Sequence, residues 1–202
     1  MIAIPMALGM VNSASAANLR VPTIDVNRND YTGSLGYKFT STTSTTVINS
    51  LGFVDANSDG LNTSHLVSLF EVSSGETYNL LASVTVGAGT SGFLDGGYRW
   101  ATIPSITLSN IAGSAYIVMA QVVLGDGDNW GDSAGFDSSI GSLGSGSLVS
   151  PTSLGNPHNF SSELNNAPPS YNPGNISTLI PEPATTLLGA LGMLALLRRR
   201  RP

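Results

Sequence analysis

Ala115-Tyr116-Ile117-Val118-Met119-Ala120-Gln121-Val122-Val123 is the longest and most apolar run between the two ends of this chain. Its β-branched and aromatic content marks a strand, and its unbroken apolarity places that strand at the centre of a sheet. Working outward, shorter strand-like runs recur at 37–40, 47–53, 65–71 and 80–86. Another, at 98–103, leads through Pro104 into 106–108. Gly, Asn, Asp and Ser separate these runs, and no window away from the two ends sustains a 3.6-residue period. The pattern predicts an all-β fold, an antiparallel β-sandwich of the jelly-roll or Ig-like kind, over residues 25–180.

Length and composition agree with one domain. The chain has 202 residues, of which only 10% are charged, while the Gly, Ser, Thr and Asn that replace them are poor helix formers suited to turns and exposed strand faces. Of eight basic residues, four are Arg198, Arg199, Arg200 and Arg201. From 18 to 180 there remain Arg20, Arg28, Lys38 and Arg99 against twelve carboxylates, a net charge of −8. Such a body repels polyanions, which excludes nucleic acid as a partner. The absence of cysteine removes disulfides, thiolate nucleophiles and zinc–thiolate sites.

Beyond residue 126 the texture changes, and GSLGSGSLVSPTSLGNP (141–157) is low-complexity and turn-rich. Two readings stay open. One is a flexible stalk. The other, preferred, is a surface excursion over about 138–174 before a last strand near 175–180.

The ends look like addresses. Residues 1–16, MIAIPMALGMVNSASA, combine an apolar stretch with Ala14-Ser15-Ala16, a small-x-small cleavage pattern before Ala17. They read as an N-terminal signal peptide whose missing basic n-region implies a start codon further upstream. At the other end, the fourteen uncharged residues from Ala184 to Leu197 make a helix of about 21 Å, short of the ~30 Å hydrocarbon core. With Arg198 to Arg201 snorkelling on the cytoplasmic side, this is a short C-terminal transmembrane helix that leaves the body outside.

Pro181-Glu182-Pro183, the apolar segment and the arginine cluster stand in that order over 181–202. This arrangement resembles the PEP-CTERM sorting signal of Gram-negative bacteria. The resemblance implies an exosortase, a membrane cysteine protease, as the partner at the inner membrane, with processing near Pro-Glu-Pro. It also implies a host that makes extracellular polysaccharide. The body resembles the small β-sandwich domains of unknown function common in PEP-CTERM proteins. The carrying residues are Leu35-Gly36-Tyr37-Lys38-Phe39, the stretch 51–61 (LGFVDANSDGL), Gly96-Gly97-Tyr98-Arg99-Trp100 and Ala115-Tyr116-Ile117-Val118. That family implies a fold and a location, and no reaction.

Three stretches carry candidate chemistry. Asp55, Asn57 and Asp59, followed by Gly60, match the first half of a calcium loop, with oxygen side chains at alternate positions. Position twelve is Leu66 rather than a glutamate, so this is no EF-hand. Either a ligand from elsewhere completes a calcium site, or, as the leading reading, Asx side chains cap a hairpin connection with Gly60 at positive φ. Asp126, Asp128 and Asp132 surround Trp130, which suggests a carbohydrate-binding or carbohydrate-active loop with Trp130 as a sugar platform; a polar loop is the preferred reading. Gly131-Asp132-Ser133-Ala134-Gly135 fits G-x-S-x-G but lacks the strand before and helix after that a nucleophile elbow needs. Ser133, Asp137 and His158 follow one hydrolase order, and His65, Asp95 and Ser133 another, so order alone carries little weight. The expectation is a non-enzymatic, exosortase-processed protein of the cell surface or exopolysaccharide matrix, with no cofactor unless calcium binds. Its partners after export would be exopolysaccharide or other surface proteins.

Overall fold

The structure is a computed structural model that describes residues 17–22, 27–43, 46–73, 77–111, 114–131, 134–150 and 171–178. The predicted signal peptide and the sorting tail lie outside these residues. Among the described residues every regular element is a strand, and no helix is long and apolar enough to cross a membrane.

In chain order the strands are β1 (Arg20–Pro22), β2 (Gly33–Ser41), β3 (Val47–Val54), β4 (His65–Ser73), β5 (Thr77–Val86) and β6 (Phe93–Asp95). They continue with β7 (Tyr98–Thr107), β8 (Ala115–Val122), β9 (Ala134–Phe136), β10 (Gly141–Ser150) and β11 (Gly174–Ser177). A five-stranded sheet runs β10-β2-β8-β4-β5, a four-stranded sheet runs β11-β3-β7-β6, and β1 pairs with β9 alone. All pairings are antiparallel.

The pairing is nested: β2 with β8, β3 with β7, and β4 with β5. Residues 33–122 are thus one long antiparallel hairpin, rolled so that successive rungs fall in alternate sheets. Leu35, Tyr37, Val67, Val118 and Ala120 of one sheet share a buried cluster with Leu51, Phe53, Tyr98, Trp100 and Ile176 of the other. Fully burying a side chain of this size contributes about 1.5–3 kcal/mol. The run that opened the sequence reading is indeed central. Tyr116, Val118, Ala120 and Val122 of β8 face the main core. Its alternate residues Ala115, Ile117 and Met119 join Phe70 and Val72 in a second cluster, so both faces of the strand are covered, as continuous apolarity requires.

Pro104 stays within β7 because of a bulge. Thr102 pairs with Ser50 and Ile106 with Ile48, so Ile103, Pro104 and Ser105 oppose Asn49 alone; a proline without an amide hydrogen is tolerated at such a place. Glycine is needed at Gly36, where β8 backbone lies against the chain, and at Gly52, where the Trp100 ring lies across it.

Two expectations need correction. The stretch at 141–150, read as part of a flexible stalk or a surface excursion, forms β10 and pairs with Ser34–Ser41 of β2, across a bulge between Leu143 and Ser147. Edge pairing needs only backbone donors and acceptors, so Gly/Ser repeats can supply it without any side-chain pattern. The segment 55–64 is also no hairpin connection, since β3 and β4 belong to different sheets.

The chain closes on itself at Ala17. Its amide donates to Thr178 Oγ1 at 3.0 Å, and its carbonyl accepts the Thr178 amide at 3.1 Å. The Leu19 amide donates to the Ile176 carbonyl at 3.1 Å.

Candidate functional site

Two of the stretches with candidate chemistry meet at one end of the sheets. Residues 55–64 leave β3 for β4, and residues 123–131 follow β8. Between them lies a polar cleft of about 50 Å³ lined by Asp55, Asn57, Asp59, Asn62, Asp128 and Asn129. Cavities that take small organic ligands are typically about 300 Å³ or more, so this space suits water or a single ion.

Asp55 is buried and anchors its loop. Its Oδ2 accepts Arg99 Nε at 2.7 Å and the Gly60 amide at 3.2 Å. Gly60 stands at φ +107° and Ser58 at +60°, the region where glycine is at ease and a side chain rarely sits. Arg99 is buried too, and also donates to the carbonyls of Ser58 and Gly92. The guanidinium therefore fixes both the 55–60 loop and the turn before β6. Asn57 and Asp59 are exposed on the loop surface.

The second loop turns its carboxylates inward. Asp128 Oδ1 accepts the Asn62 amide at 2.7 Å and Asn62 Nδ2 at 3.1 Å; Oδ2 accepts the Thr63 amide at 2.9 Å. His65 Nε2 lies 2.9 Å from the same Oδ2 and 3.8 Å from Asp126 Oδ2. His65 Nδ1 faces the Gln121 carbonyl at 2.9 Å. That oxygen can only accept, so Nδ1 carries the hydrogen and Nε2 is turned toward the carboxylates. The side chains of His65, Asp126 and Asp128 are 1%, 4% and 3% exposed. Phe53 covers one face of the imidazole.

Trp130 is not a sugar platform. It is 1% exposed, with the Arg28 guanidinium 4.3 Å from its ring centroid and Tyr171 packed edge-on at 5.4 Å. A tryptophan amid glycines and aspartates looks exposed from composition alone; here its large apolar surface closes the end of the core. Asp126 and Asp128 are likewise committed to the loop interior.

The hydrolase orders are not assembled among the described residues. Asp95 accepts from Asn18 Nδ2 at 2.8 Å, while His65 is held by Asp128. Asp137 Oδ1 accepts the Ser139 amide within its own turn. Ser133, His158, Asp132, Pro181, Glu182, Pro183, the segment from Ala184 to Leu197 and Arg198 to Arg201 fall outside the described residues. Sequence reasoning missed Arg99 as the partner of Asp55 and set His65 aside. The usable signal for Arg99 was an arginine inside an apolar strand of a body with four basic residues, since a buried cation requires an anion.

The PEP-CTERM protein-sorting motif matches residues 179–201. No curated protein and no solved structure matches the chain. The chain is therefore a β-rich body followed by a PEP-CTERM sorting motif. The motif supports export with transient anchoring in the membrane through the C-terminal signal, and implies processing by an exosortase.

Proposed function

We propose that this protein is a non-enzymatic domain of the cell surface or exopolysaccharide matrix. It crosses the inner membrane, is held there by its tail, and is released when exosortase cuts that tail. The observation that carries this reading is the sorting motif at 179–201, which starts one residue after Thr178. The commitment of Asp55, Asp126, Asp128 and His65 to hydrogen bonds and ion pairs that brace the two loops supports it further. A two-sheet sandwich suits a spacer or adhesive role between neighbouring proteins and glycans.

Expression in an exosortase-bearing host and in the same host lacking exosortase tests the proposal. A shorter, released form is expected only in the first, and the triple substitution Pro181→Ala, Glu182→Gln, Pro183→Ala should hold the chain at full length in the membrane. Identical mass and location in both hosts would overturn it. Incubation with the host's own polysaccharide addresses the molecular role: turnover refutes the non-enzymatic reading, and saturable binding without turnover identifies the glycan as the partner. Calcium at Asp55, Asn57 and Asp59 would have to compete with Arg99 for the Asp55 carboxylate. Calcium is accordingly expected to leave the melting temperature of the wild type unchanged and to raise it, reversibly by chelator, only in Arg99→Met.

A further inference from the structure

We infer that His65, Asp126 and Asp128 form a zinc site that staples the 55–64 segment to the loop after β8. The donor atoms of these three side chains lie within 4.8 Å of one another. Thr63 Oγ1 stands beside all three: 3.3 Å from His65 Nε2, 3.2 Å from Asp126 Oδ2 and 3.4 Å from Asp128 Oδ2. With His65 Nε2 at 2.9 Å and 3.8 Å from the two carboxylates, five of the six edges of a four-atom polyhedron fall between 2.9 and 3.8 Å. Ligands ~2.0–2.1 Å from a tetrahedral zinc ion are separated by about 3.3–3.4 Å, so small shifts bring this set into register.

Charge favours a cation here, because two buried carboxylates meet a single imidazole. With hydrogen on Nδ1, a neutral imidazole turns the Nε2 lone pair toward Asp128 Oδ2, and two buried carboxylates converge on the same space. Arg99, the buried cation of this end of the fold, is held by Asp55. A single proton on Nε2 would balance one carboxylate; a divalent ion balances both and takes the Nε2 lone pair as a ligand.

The outer contacts are those of a metal-binding histidine and its carboxylates. Nδ1–H donates to a backbone carbonyl, Asp128 Oδ1 is fixed by Asn62, and Asp126 Oδ1 accepts the Asp128 amide at 2.9 Å. Phe53 supplies a dry wall, and the polar cleft reaching Asp128 gives an ion its way in. The nitrogen ligand and low coordination number disfavour calcium and magnesium, which take six or more oxygens. A staple of this kind joins residues more than sixty positions apart in a chain that has no cysteine to do it.

The test uses the full-length chain, stripped with chelator and dialysed against zinc, calcium or magnesium. Zinc is expected to remain at one ion per chain and to raise the melting temperature by roughly 5–10 °C at a hundredfold excess over Kd, reversibly by chelator, whereas calcium and magnesium do neither. Cobalt should give the intense visible bands of a tetrahedral site. Asp126→Asn, which keeps the shape of the loop, should lose the ion and the cobalt bands while its metal-free melting temperature stays near that of the wild type. His65→Asn should also lose them. No zinc retained by the wild type, or equal zinc bound by Asp126→Asn and His65→Asn, would overturn the proposal.

Discussion

Phe53 lies flat against His65, with ring centroids 3.6 Å apart and planes 8° from parallel. Phe53 belongs to the four-stranded sheet and His65 begins β4 of the five-stranded one, so this stack is where the core of the sandwich meets its polar loop cluster. Phe53→Ala should cost about 3–5 kcal/mol through the cavity alone. Phe53→Leu keeps most of the volume, and its cost of about 1–2 kcal/mol isolates the stacking and shape contribution. Urea denaturation of both variants checks this, and a neutral Phe53→Leu would mean that the stack contributes nothing beyond its bulk.

The Arg99–Asp55 pair should behave as a buried ion pair. Arg99→Met leaves a carboxylate under cover without its cation and should destabilise by about 3–5 kcal/mol. The double variant Asp55→Leu, Arg99→Met should lose clearly less than the two single losses added together. A double-mutant cycle in urea measures the difference, and strict additivity would show that the two side chains act independently.

At Gly52 the limit is steric. A Cβ there would stand 2.5 Å from Trp100 Cε3, and the indole is also tied to the Asp95 carbonyl by its Nε1 hydrogen at 2.9 Å. Gly52→Ala should cost about 1–3 kcal/mol by overpacking. Pairing it with Trp100→Leu should return part of that loss; thermal melts of the single and double variants decide.

Six of the strands were legible because each carries its own apolar signal, and β8, apolar on both faces, even declared its central place. β10 was not legible: an edge strand of Gly and Ser pairs through its backbone and leaves no side-chain period to read. The Asp55–Gly60 turn was readable in part. Asp55 does cap the Gly60 amide, but nothing local says that the segment changes sheets or that Arg99, more than forty residues on, will take the same oxygen. The convergence of His65 with Asp126 and Asp128 is equally non-local, since it follows from β8 lying next to β4. Trp130 misled because aromatic exposure was inferred from polar neighbours in sequence, whereas Arg28 and Tyr171 arrive from elsewhere to cover it.

Tyr116 sets an alkaline limit. Burial pushes its phenol above the ordinary value of 10.0, against the lowering effect of its hydrogen bonding with the Ser109 backbone and with Glu71 adding to the rise. The folded state thus favours the neutral ring. This contribution to stability is fully present below pH 10 and is lost as pH climbs through the raised folded value. Tyr116→Phe should cost about 1–2 kcal/mol at neutral pH, because the Ser109 amide loses its 2.6 Å acceptor. It should also make the decline above pH 10 shallower without abolishing it, because Tyr31 is raised by burial as well. Denaturant midpoints between pH 8 and 11 test this, and an unchanged decline in Tyr116→Phe would assign the limit elsewhere.

The bonds between Ala17 and Thr178 make the folded body a closed ring with a single seam. Every strand contact of β11 is complete by Thr178, and the sorting motif begins at the next residue. A cut anywhere in that motif falls outside the stitching. Maturation by such a cut resembles trimming a thread beyond the knot, since the bonds that close the ring lie before the motif. Ala17 and Thr178 meet at that one point, so the seam that closes the ring also sets where the sorting motif leaves it.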